Sequence, residues 1–105
     1  MTVHPEKLQH LIDKAMGQEP VRVAVVDAAQ SVVLETLRDA TRAGLAEPRL
    51  IGDPEATLRL CRALDWTPDA DWLIAARSDA EAAAIGVKLV RSGGADLLMK
   101  GNIHT

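Results

Sequence analysis

The residues best suited to chemistry lie together at residues 96–105, which read DLLMKGNIHT. An apolar run closes on Lys100 and Gly101, and Asn102, His104 and Thr105 follow. A lysine at the end of a strand holds a mobile cation where a phosphate or carboxylate would bind, and a glycine beside it lets a ligand approach the backbone. Asn102, His104 and Thr105 add neutral hydrogen-bond donors. By themselves, residues 100–105 read most simply as a turn of solvated polar groups. Their place at the end of an apolar run makes them a candidate binding site.

Other candidates are weaker. Asp27 ends the run VRVAVV and could face the same crevice, although an aspartate capping the next helix is the plainer reading. The turn after that run, DAAQS, has no glycine, so the G-x-G-x-x-G dinucleotide fingerprint is absent, and Lys100-Gly101 is in the wrong order for a P-loop. SGGAD at 92–96 reads as a helix stop followed by a strand. Ser31 and Thr36 have no histidine nearby, and no G-x-S-x-G elbow occurs. His4, His10 and His104 form no metal-ligand spacing. The lone Cys61 has Leu58 and Leu64 at helical spacing and reads as a small core residue. Of Trp66 and Trp72, one is expected under the TPDAD loop and the other at a sheet edge.

The elements that must position these residues follow from periodicity and caps. Leu8, Leu11, Ile12 and Ala15 predict an amphipathic helix over residues 5–16. VRVAVV at 21–26 has the β-branched character of a buried parallel strand. Residues 29–43 return to helical spacing through Val33, Leu37 and Ala40, with Gly44 as the stop. PRLIG at 48–52 predicts a second strand that Pro48 should start rather than continue. Asp53-Pro54 opens a helix to about Leu64, DWLIAA at 71–76 predicts a third strand, and Ser78 with Glu81 forms a capping box for a helix ending at Gly93-Gly94.

The strand starts at 21, 48, 71 and 96 lie 27, 23 and 25 residues apart, each gap holding one helical pattern. This rhythm predicts an α/β fold: a three-layer βα repeat around a parallel sheet of about four strands with right-handed crossovers. A chain of 105 residues, 48% apolar but only 2% aromatic, suits one such domain with a small aliphatic core. A net charge of -3 without basic blocks argues against nucleic acid as a partner. No apolar run reaches membrane-span length, a single cysteine allows no internal disulfide, and no apolar signal core opens the chain, so a soluble, cytoplasmic protein is expected. The last strand has no helix after it, so residues 1–105 are expected to be an N-terminal piece of something longer, ending on the first half of a site.

Taken together, the strand VAVV at 23–26, the stretch AGLAEPRLIGD at 43–53 and the segment from Ala82 through LMKGNIHT resemble the N-terminal part of the phosphate acetyl/butyryltransferases. The likeness runs from about residue 7 to Thr105. It implies an isocitrate/isopropylmalate dehydrogenase-like fold and the reaction of acyl-CoA with phosphate to give acyl phosphate and CoA. It further implies a cytoplasmic homodimer, coenzyme A as substrate and no metal or redox cofactor. A parent fused to an enoyl-CoA hydratase-like domain is one form the resemblance allows. The family's serine, arginine and aspartate for thiol activation and charge stabilisation belong to its later half, so no catalytic residue carries over. Lys100, Gly101, His104 and Thr105 do carry over, as substrate-positioning residues lining the interdomain cleft, and the chain alone is expected to be inactive.

Two non-enzymatic readings compete. VAVVDAAQSVVLETLRDA has the look of a receiver domain, but the third strand ends on Ala75, Ala76 and Arg77, where the phosphoacceptor aspartate should be. A partner-binding or assembly module is the other, favoured by an uncovered final strand that invites self-association.

Overall fold

The computed structural model describes residues 19–101. Strands and helices alternate in the order β1 (Val21–Val26), α1 (Ser31–Arg42), β2 (Ala46–Gly52), α2 (Pro54–Ala63), β3 (Leu73–Ala75), α3 (Asp79–Arg91) and β4 (Leu97–Lys100). The expected helix over residues 5–16 lies outside the described residues.

The sheet is parallel throughout, in the order β3-β2-β1-β4. The chain therefore steps outward from β1 to β3 and then returns to lay β4 on the other side of β1. Alternation along the strands sends side chains to two cores. Val23, Val25 and Leu50 pack with Leu34 and Leu37 of α1 and Cys61 of α2. Ala24, Val26 and Ile51 pack on the opposite face with Ala82 of α3. Helices thus cover both faces, and the three-layer α/β architecture is the one the spacing predicts.

The crossover through α3 is tight. A Cβ placed on Gly86 would stand 2.7 Å from Leu98 Cδ1 and 2.9 Å from Val26 Cγ2, so glycine lets α3 lie directly on β1 and β4. On the other face, Arg38 and Arg42 of α1 donate to the Leu64 and Asp65 carbonyls at 2.8 and 2.6 Å, satisfying backbone acceptors just beyond the end of α2.

The local signals hold in most places. Asp53 caps α2 by accepting from the Glu55 and Ala56 N–H groups, with Pro54 in the first turn. Ser78 caps α3 by accepting from Glu81 N–H at 3.1 Å, and Gly44 and Gly93 both have positive φ just past helix ends. Cys61 is fully buried, and burial pushes its thiol up from the ordinary range. Trp66 is buried in the α1–α2 core, while Trp72 is half-buried beside β3.

Two expectations need correction, and one competing reading falls. Pro48 does not start its strand: β2 begins at Ala46, and Pro48 pairs opposite Val23. The proline is tolerated because β3 reaches only Leu50 to Gly52, so at Pro48 the sheet has a neighbouring strand on one side only. The third strand is shorter than DWLIAA, because Asp69 accepts from Asp71 N–H and turns Ala70–Trp72 into a 3-10 helix before Leu73. Finally, the receiver reading fails on topology. A receiver sheet places its third strand beside the first, whereas here β3 lies beyond β2 and β4 takes that place.

Candidate functional site

In an open parallel sheet the connections leave a crevice at the carboxyl ends of the strands, where the order of winding reverses. Here the reversal falls between β1 and β4. Register pairs Val26 with Lys100, so Asp27 and Gly101 follow side by side at the strand ends. Lys100, the last residue of β4, is exposed, and its ammonium is near enough to Asp27 to favour the ionised form of that carboxyl.

Gly101 is buried, and its N–H donates to the Val26 carbonyl at 2.6 Å. A Cβ there would collide with the Asp27 carbonyl oxygen and stand 2.9 Å from that of Val26. The close approach that glycine permits on this side is to β1 itself. Its effect is to lock the end of β4, and with it Lys100, against Asp27. Of the other two residues proposed for the site, His104 and Thr105 lie outside the described residues.

Asp27 is more central than the sequence suggests. The N-cap of α1 is Gln30, which makes no side-chain capping bond, so the plainer reading of Asp27 as a helix cap is not what the structure shows. Asp27 instead adopts φ 57°, a left-handed conformation that aspartate tolerates better than most residues. It lines a cavity of about 270 Å³ with Gln30, Asp53, Arg77, Ser78 and Asp79. Burial raises its pKa above the ordinary 3.8, and the charge of Asp79 and a hydrogen bond to that carboxyl raise it further, against the opposing pull of Lys100. Asp27 therefore divides the carboxyl edge into two parts. On the β4 side stands Lys100, an exposed cation. On the β2–β3 side lies a cavity edged by Asp27, Asp53 and Asp79 against Arg77.

Sequence reasoning missed Asp79 and Arg77 as neighbours of Asp27. Ser78-Asp79-Ala80-Glu81 is legible as a helix start, but only the crossover of α3 over β1 brings that start to the cavity. Among the described residues no group of three or more histidine, cysteine, aspartate or glutamate side chains could hold a metal ion. No described helix is long and apolar enough to cross a membrane.

Fold and site together define a doubly wound α/β architecture that places Lys100 at its switch point. No described protein family's sequence profile matches the chain. Among curated proteins it is similar to the phosphate butyryltransferase of Clostridium acetobutylicum, 30% identical over 100 residues, which is 95% of this chain and 33% of the relative. It is also similar to the phosphate butyryltransferase of Clostridium beijerinckii, 32% identical over 84 residues, 80% of this chain and 28% of that protein. The chain thus spans about a third or less of the length of these relatives. The likeness extends over nearly all of this chain and supports the phosphate acyltransferase resemblance. Neither relative's name includes a hydratase.

Proposed function

We propose that this chain is the N-terminal α/β part of a cytoplasmic, dimeric phosphate acyltransferase that converts acyl-CoA and phosphate to acyl phosphate and CoA. The observation that carries the reading is the 30% identity to a phosphate butyryltransferase over 95% of the chain. The position of Lys100 agrees with it. Attack of phosphate on a thioester brings an anionic nucleophile to a carbonyl and develops an oxyanion, both of which need preorganised cations and donors. Lys100 offers one such cation at the switch point, held in place because Gly101 is packed on β1.

In this reading Lys100 and Gly101, with His104 and Thr105, position the substrate. The groups that activate the thiol and stabilise charge come from the remaining two-thirds of a relative's length, so the 105 residues alone do not turn over. Coenzyme A is a substrate, and the reaction asks for no redox cofactor.

A chimera tests this. Replacing the matched 100 residues of the Clostridium acetobutylicum protein with this chain should give phosphate-dependent release of CoA from butyryl-CoA. Lys100→Ala in the chimera should lower that rate at least tenfold, about 1.4 kcal/mol of lost transition-state stabilisation. A folded chimera without activity would sink the reading. Turnover by the isolated chain above its own Lys100→Ala control would sink the division of labour. A partner-binding module predicts instead that neither protein turns over and that the isolated chain self-associates.

A further inference from the structure

The outer face of α3 differs from those of the other helices. Exposed charge runs along α1 through Glu35, Asp39 and Arg42, and along α2 through Glu55, Arg59 and Arg62. Between Asp79 and Lys88 the exposed residues of α3 are Ala80, Ala83, Ala84 and Val87. Ala82 and Gly86 are buried against the sheet, so these four lie on the side turned away from it. Val87 is 38% exposed although apolar, and it lines an open groove of about 620 Å³ with Ala83, Ala84, Lys88, Arg91 and Ser92. Covering an uncharged stretch desolvates no charge, and a valine among alanines lets another helix come close.

The charges at the two ends of this stretch say what covers it. The first turn of α3 is acidic, with Asp79 and Glu81, and the last turn is basic, with Lys88 and Arg91. Arg77 lies 3.7 Å from Glu81 and offsets that charge, whereas neither Lys88 nor Arg91 has an ion-pair partner among the described residues. The helix dipole accounts for acid at the start and base at the end of a single helix, but not for the apolar middle between them. A second helix of the same pattern, laid antiparallel, suits all three parts. Its basic last turn meets this acidic first turn, the reverse holds at the other end, and alanine and valine meet between. A two-fold contact requires such a self-complementary face, on which one residue meets a second and the second meets the first. With the axis level with Ile85, Ala83 faces Val87 of the second copy, and Arg91 faces its first turn beside Ala80.

We propose that α3 pairs with α3 of a second copy of this chain, antiparallel about a two-fold axis. The helix has 13 residues and is about 20 Å long. One such face is smaller than the roughly 800 Å² per partner of a stable interface, so the dimer is weak and fills as concentration rises. The contact lies on a helix face and not on the β4 edge. It does not depend on the transferase reading, which stands or falls on turnover by the chimera, so the two fail separately.

Sedimentation equilibrium of the 105-residue chain tests this. The average mass should rise with concentration toward that of two chains, and less steeply at high salt. Val87→Glu sets two charges in the apolar middle, and Arg91→Glu sets like charges together at both ends. Each should raise the dissociation constant about tenfold or more. Adding Asp79→Arg to Arg91→Glu brings opposite charges together again and should return the constant to within about threefold of the wild type. A wild-type chain that stays monomeric to millimolar concentration would overturn the interface, and that measurement needs no variant to fold. A dimer indifferent to both Val87→Glu and Arg91→Glu would put the contact elsewhere and overturn it too. No recovery in the double variant would overturn the antiparallel pairing.

Discussion

The two edges of this sheet use the same kinds of residue to opposite ends. At the amino edge, Arg22 and Asp96 sit at the starts of β1 and β4 and satisfy one another. The Asp96 carboxylate accepts from Arg22 N–H at 2.9 Å and from the guanidinium at 3.3 and 3.4 Å, and Asp96 N–H donates to the Arg22 carbonyl at 2.8 Å. At the carboxyl edge the same two strands end on Asp27 and Lys100, which make no ion pair of the kind that joins Arg22 and Asp96; Asp53, Arg77 and Asp79 line the same cavity as Asp27. A buried carboxylate bonded across two strands holds them in register. The carboxyl edge leaves the Lys100 cation exposed beside a cavity lined by Asp27, Asp53 and Asp79. The difference separates the edge that holds the fold from the edge where the candidate site lies.

The strongest way to break this contrast is at the amino edge. Asp96→Ala removes a carboxylate that is 3% exposed and accepts from one backbone and two guanidinium donors. It should cost about 2–3 kcal/mol, read as a lower urea midpoint at unchanged slope. A loss under about 0.5 kcal/mol would mean that the clamp does not hold β4.

At the carboxyl edge the largest effect should come from Gly101, because a methyl group there meets the backbone of Val26 and Asp27. Gly101→Ala should destabilise by about 1–3 kcal/mol, the usual range for forcing atoms into a packed site. In the transferase chimera it should also lower activity by displacing Lys100. Unchanged stability and activity together would show that β4 is not locked against β1.

The smallest effect on the fold sharpens the comparison most. Lys100 is exposed, so Lys100→Ala should change stability by no more than about 0.5 kcal/mol. Its main cost should appear in turnover of the chimera. A fold effect as large as that of Asp96→Ala would put Lys100 with the structural groups instead.

Much of the fold is legible in short stretches of the sequence. VRVAVV marks β1 to the residue, and Asp53-Pro54 and Ser78 with Glu81 mark the starts of α2 and α3. These signals can be read because their physics is local: a cap is satisfied by an N–H two or three residues on, and a buried strand shows its β-branched run in one segment. The place of Pro48 and the shortening of β3 are not legible in this way, because each depends on a neighbour. A proline is acceptable inside β2 only where β3 does not reach, and β3 is cut short where Asp69 captures the Asp71 N–H.

The candidate site is half legible for the same reason. Lys100 and Gly101 stand out from composition and position at a strand end, and the sequence alone determined that a cation would end the last strand of a parallel α/β unit. Which residues that cation would meet depended on strand order, and hence on the face of the sheet that α3 crosses. Burial of Ala82 and the close seat of Gly86 on Val26 and Leu98 settle that crossing. Only this tertiary packing, made between segments far apart in the chain, places Lys100 beside Asp27 and brings Asp79 to the same carboxyl.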